Sequence, residues 1–316
     1  MKGGGCMAQK KQGIVQTVME FAAPDESKVD ITTSKGLLQD FILRIKAVDI
    51  GSLGAQLAYF FLLSFFPLLI FLVTLLPFLN LNEQTVYEFL DDVMPAEVYS
   101  LIEGVLREVL TNQSGSLLSI GILGTIWSAS KGVDALMKAL NKAYDVEAKP
   151  GIMNRVWSLI FTVSFVVMLL IALVLPVFGQ QIGDVITSAL SLGDGFNSIW
   201  NIVRFALPIV LIFVVMNVMY WIVPNTNPRI RVTSVFIGAL FATLGWFALT
   251  YGFSIYVSNF GNYTATYGSI GGVIVLMLWL YFTGMILIIG GIINATMQKR
   301  KNVKEAQAER KSPTFL

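Results

Sequence analysis

Ser269 to Lys301 reads SIGGVIVLMLWLYFTGMILIIGGIINATMQKRK, an uncharged run through Gln298 that is closed by Lys299, Arg300 and Lys301. At 1.5 Å per helical residue, about 20 such residues cross a hydrocarbon core of about 30 Å. Five more stretches of this kind precede it, so the predicted spans are residues 55–79, 116–138, 157–178, 200–223, 232–257 and 269–296. The charges between them are sorted by side. Of 22 Lys and Arg residues, all but Arg107 and Arg204 fall before the first span, around the second-to-third and fourth-to-fifth connections, or after the last span. The opposite side carries the carboxylates Glu83, Glu88, Asp91, Asp92, Glu97, Glu103, Glu108, Asp184 and Asp194. Basic loops stay in the cytoplasm. The expected fold is therefore an all-α integral membrane protein: a six-transmembrane-helix bundle with additional amphipathic interfacial helices and both termini cytoplasmic.

Composition agrees. The chain is 55% hydrophobic and 13% charged, where soluble domains carry roughly 25% charge. Lipid has to be the solvent for that much apolar surface. The net charge of +2 is sorted rather than spread, so it implies no nucleic-acid partner. It does leave a basic rim that attracts anionic inner-leaflet lipids. With no histidine and the single cysteine Cys6, zinc sites of the usual donors, Ser-His-Asp triads and internal disulfides are all excluded. No cofactor is implied. Residues 1–35 hold no cleavable signal and read as a flexible cytoplasmic tail. Residues 36–298 form the transmembrane domain, and 299–316 a basic cytoplasmic tail.

Within that frame, residues 36–50 place Leu38, Phe41, Ile42, Ile45 and Val48 on one helical face, away from Asp40, Arg44 and Lys46. This predicts an amphipathic helix in the inner interface. The first span contains Pro67, which frees a backbone carbonyl one turn earlier and kinks the helix. The outer loop, residues 81–115, carries Val98, Leu101, Ile102, Val105, Leu106 and Val109 at helical spacing, and residues 182–190 repeat the pattern. Such helices either lie on the outer leaflet or cap the bundle. The second span is apolar only to Trp127 and continues as SASKGVDALMKALNKAY, predicting one long helix that projects into the cytoplasm and stops before Pro150. Gly238, Gly245 and Gly252 recur every seven residues, which points to close helix packing rather than a hinge.

Three stretches carry a resemblance: AYFFLLSFFPLL (Ala58–Leu69), WSASKGVDALMKALNKAY (Trp127–Tyr144), and YTATYGSIGGVIVLMLWLYFTGMILIIGGIINA (Tyr263–Ala295), the last preceded by VPN at Val223–Asn225. Together they resemble the YihY/virulence factor BrkB family of bacterial inner-membrane proteins. The resemblance implies a six-helix protein of the bacterial plasma membrane. Members have been linked to lipid export and once bore the label ribonuclease BN. A zinc phosphodiesterase of that type needs clustered His and Asp ligands, so ribonuclease activity is rejected here. Many members carry a glutamate where this chain has Ile292, in GGIINA.

The spans hold almost no ionisable groups, which argues against a carrier built on buried carboxylates. No nucleotide motif or catalytic constellation is present either, so an enzyme is not expected. The Ser128–Lys131 S-x-x-K pattern lacks its partner motifs. Lys131 and Asp134 lie three apart and can pair. Lys131 either snorkels to the headgroups or meets a lipid phosphate beside Trp127, with Arg155 and Arg231 joining from neighbouring spans. Tyr59, Ser64, Tyr267 and Trp279 are candidates for lining an inner cavity. With Pro67, Trp127, Lys131, Asn141, Tyr144, Arg155, Gly271 and Gly272 they make up the candidate substrate-binding set. The expected function is handling or translocating a lipid-like amphiphile without an ATPase. The expected partners are membrane lipids, anionic phospholipid among them, and envelope proteins through the loop 81–115. The rival is a non-transporting scaffold with solid packing.

Overall fold

The computed structural model describes residues 29–75, 115–148, 151–190, 194–260 and 270–311. The outer-loop helix around 98–109, Tyr267 and residues 1–28 and 312–316 lie outside the described residues. Among the described residues every regular element is helical: α1 (Ser34–Val48), α2 (Ile50–Leu75), α3 (Gly115–Ala143), α4 (Gly151–Leu190), α5 (Asp194–Ile222), a 3-10 turn (Val232–Val235), α6 (Phe236–Phe260) and α7 (Ile270–Lys311).

Local chemistry sets the helix ends. Thr33 caps α1, its hydroxyl accepting from the Gly36 amide at 3.0 Å, and Asp30 braces the turn by accepting from both the amide and the hydroxyl of Thr32. α1 stops at Asp49, which adopts left-handed φ 57°, a conformation that Asp tolerates better than most residues. The chain then bends by 52° into α2. Asp145, φ 56°, ends the turn after α3 in the same way. Pro67 and Pro208 sit inside α2 and α5.

Four helices are long and apolar enough to cross a membrane, in α4, α5, α6 (with its 3-10 lead-in) and α7, and the bent α1–α2 pair makes a fifth when taken as one span. α3 falls short of that measure because its sequence turns amphipathic after Trp127. Its second half is also not a free projection. Val133, Leu136, Met137, Ala139, Leu140 and Ala143 are all buried, at the centre of the core. They pack against α2 and α7, with Tyr220, Val223 and Ile292. The alternation that reads as a surface helix serves here to bury one face in protein. The pattern at 182–190 is likewise no separate cap: those residues are the last turns of α4, a helix of 40 residues.

The close packing expected of the glycines is real at Gly238 and fades along α6. A Cβ at Gly238 would lie 2.1 Å from the Gly290 carbonyl oxygen, so the α6 and α7 backbones touch there. At Gly245 the nearest neighbour is an Ile286 methyl at 3.3 Å, and Gly252 has nothing within 4 Å. Asn294 completes the contact, accepting from the Gly238 amide at 2.8 Å and donating to the Val235 carbonyl at 3.0 Å. In an apolar surround, such bonds hold helices that lipid does not push together.

Candidate functional site

Two arrangements stand out, one on the outside of the α2–α3 pair and one buried where the helices end. The first follows from register. The side position of Gly124 meets Pro67 at 3.3 Å, and that of Gly132 meets Phe61 at 3.0 Å and Phe60 at 3.3 Å. As α3 advances α2 recedes, so the pair is antiparallel. Helix geometry then puts Tyr59 and Leu63 on the same flank as Trp127 and Lys131, away from where Gly54 and Leu57 meet Gly284 of α7.

That flank is open. Leu123, Trp127 and Lys131 form an i, i+4, i+8 stripe, with Leu123 68% and Trp127 59% exposed, and Tyr59 is 57% exposed beside them. α4 provides the other rim. Ser158 donates to the Ser130 carbonyl and Asn154 to Asp134, each through a short hydrogen bond, which brings half-buried Arg155 to the level of Lys131. The sequence-level pairing of Lys131 with Asp134 does not form. Asp134 takes Lys138 instead, at 2.8 Å, and Lys131 is left exposed with no carboxylate partner among the described residues.

The remaining candidates lie elsewhere. Ser64 is buried between α2 and α3, its hydroxyl donating to the Phe61 carbonyl at 2.8 Å. Pro67 faces Gly124. Trp279 is on the α6–α7 face, donating to Thr250 at 3.3 Å and lying 6.1 Å from Trp246. Gly271 and Gly272 are buried at the start of α7, and Arg231 is exposed ahead of the 3-10 turn. Tyr59, Trp127, Lys131 and Arg155 thus share one face, while Ser64, Pro67 and Trp279 serve helix contacts.

Asn141 and Tyr144 belong to the second arrangement, which sequence reasoning did not assemble. Asp40, only 3% exposed, accepts from Arg44 at 2.8 Å and from Lys299 at 2.6 Å. Arg44 also reaches the carbonyl of Ala143, the last residue of α3, in a short hydrogen bond. Lys142 returns the gesture at 3.5 Å to Val48, the last residue of α1. Both cations satisfy orphan carbonyls at the negative ends of helices. Arg300 donates to the Thr32 carbonyl at 3.1 Å, so α1 lies as a strap across the end of α3 and against the last third of α7, which runs on to Lys311.

Beside the strap, the Asn141 amide oxygen accepts from the Asn225 backbone at 3.1 Å, and Asn225 donates to the Glu147 carbonyl at 3.3 Å. Tyr220 donates to the Leu287 carbonyl at 2.6 Å. The Tyr144 hydroxyl is buried without a partner among the described residues. Burial pushes that phenol well above its ordinary pKa, even though Arg44 pulls the other way. The Asp40–Arg44 spacing of four was a visible signal for part of this cluster. Lys299, 259 positions away, was not.

Comparison with known proteins agrees with this architecture. The family described as "Virulence factor BrkB" matches residues 41–314. YfkH of Bacillus subtilis (strain 168), named as a ribonuclease-like protein, is 44% identical over 269 residues, covering 85% of this chain and 97% of that protein. A UPF0761 membrane protein of Aliivibrio salmonicida (strain LFI1238) is 28% identical over 250 residues, 77% of each chain. Another, of Cronobacter sakazakii (strain ATCC BAA-894), is 26% identical over 274 residues, 84% of this chain and 90% of that one. No solved structure matches. The class defined by fold and site is a multi-helix membrane protein. Within it, the chain belongs to the virulence factor BrkB family.

Proposed function

We propose that this protein handles a lipid-like amphiphile at the bacterial plasma membrane, and moves it between leaflets without an ATPase of its own. The proposed frame has six spans, with α3 as the sixth, and both termini in the cytoplasm, as the sorted charges favour. The observation that carries the reading is the open flank of α2, α3 and α4. Leu123 and Leu63 suit an acyl chain, Trp127 and Tyr59 suit the polar–apolar boundary, and unpaired Lys131 with Arg155 suits a phosphate. Leu123, Trp127 and Lys131, in that order along α3, match the acyl chain, interface and phosphate of a phospholipid.

The ribonuclease-like name of the YfkH relative finds no support in this chain's residues. It has no histidine, the ligand on which zinc phosphodiesterases of that type rely.

The test is leaflet exchange of fluorescent phospholipid in liposomes holding the purified protein. Chemical reduction of label beyond the outer-leaflet half is the expected result. Lys131→Ala and Trp127→Ala should each slow that exchange about ten-fold, the loss of one charge-assisted hydrogen bond to phosphate or of one aromatic anchor. No exchange by well-folded protein would sink the translocation reading and leave the scaffold as the better account.

A further inference from the structure

We propose a second phosphate site at the far end of the molecule, built on Arg204 between α4 and α5, that holds the headgroup of an anionic phospholipid. Arg204 lies five residues inside the apolar stretch Ile199–Ile222, about 7 Å along the helix axis. That puts its Cα just inside the hydrocarbon boundary, within reach of headgroup and glycerol for a long side chain that extends outward. A charge at such depth calls for a partner. Among the described residues Arg204 has no carboxylate partner, and its Nε–H is buried with no acceptor.

The surroundings hold the side chain without neutralising it. Its stem crosses the α4 backbone at Gly179, where the bare side position is 3.1 Å from Cδ of Arg204. The guanidinium stands 5.0 Å from the Phe205 ring centroid, a cation–π arrangement that orients the group. Trp200, one turn earlier, ties the helices together through a short hydrogen bond to the Gly179 carbonyl and stacks on Phe196 at 5.9 Å. Ile199, Ile202 and Phe205 are exposed next to it, so apolar surface for an acyl chain adjoins the cation.

An unpaired buried donor is costly. A small rotation of the stem presents Nε and a terminal nitrogen as a fork to one phosphate, the geometry in which Arg binds that group best. A free phosphate offers the same oxygens, but the apolar rim favours the lipid. This site concerns lipid retention and stands whether or not the protein moves lipid.

The experiment uses a photoactivatable phosphatidylglycerol, reactive near its headgroup, in phosphatidylcholine vesicles holding the full chain. Labelled peptides are then mapped. We expect adducts on the peptides carrying Gly179 and Arg204. Arg204→Gln should lower their yield about five-fold at low salt and leave adducts near Lys131 unchanged. Equal yield at those peptides in folded Arg204→Gln overturns the site. So does a map of the unaltered chain with adducts elsewhere and none there, which needs no variant to fold. Inorganic phosphate that abolishes the labelling, where chloride at equal ionic strength does not, would make this a free-anion site and overturn the lipid assignment. Lipid exchange is not scored, so failure of the translocation reading leaves this outcome readable.

Discussion

At the scale of residues, the Asp40 side chain ties α1 to α7. One carboxylate satisfies Arg44, which is itself 14% exposed, and Lys299, which is 52% exposed. Removing a buried partner leaves the opposite charge stranded, which costs more than the pair contributes when intact. Asp40→Ala should therefore destabilise the protein by about 3 kcal/mol, read as a lower melting temperature in detergent. Lys299→Met should cost less, about 1 kcal/mol or below, since its ammonium is half in solvent. Equal losses for the two would mean that Asp40 does not act through Arg44. Only the Arg44 half of this was legible at Asp40, because a charged residue on the polar side of an amphipathic helix reads as solvated until its distant partner is known. Lys131 was legible as an outward-pointing cation near Trp127, because a snorkelling lysine and a phosphate-binding one look alike, but the pair with Asp134 that the spacing allows is taken by Lys138.

At the scale of elements, helix existence was legible and helix environment was not. Uncharged runs of span length predict the cores of α4, α5, α6 and α7, since period, length and flanking charge all report on one helix at a time, but α4 runs on to Leu190 and α7 to Lys311. The second half of α3 shows the limit. Its apolar stripe fits a surface helix and a core helix equally well, and only the presence of α1, α2 and α7 around it decides. The α6–α7 contact makes a sharper point, because three glycines at one spacing meet three different neighbourhoods. Gly238→Ala should push the helices apart and cost about 2–3 kcal/mol, as overpacking does, whereas Gly252→Ala should be neutral or stabilising by up to about 1 kcal/mol through helix propensity. Thermal melts of the two variants check this, and equal losses would deny the contact.

At the scale of the whole molecule, the sorting of charge predicts an orientation that a topology experiment checks. A reporter fused after Lys311 should be active only in the cytoplasm, and a cysteine placed in the loop 81–115 should react with an impermeant reagent added outside. Reaction from the inside alone would invert the topology and, with it, the leaflets assigned to Lys131 and Arg204. The strap adds something about time. Its two fastenings lie 259 residues apart, which at roughly 5–20 residues per second separates their synthesis by about 10 to 50 s. Throughout that interval the carboxylate of Asp40 has only Arg44 for company. Among the described helices the first can be pinned to the third early, but not to the last until Lys299 has left the ribosome.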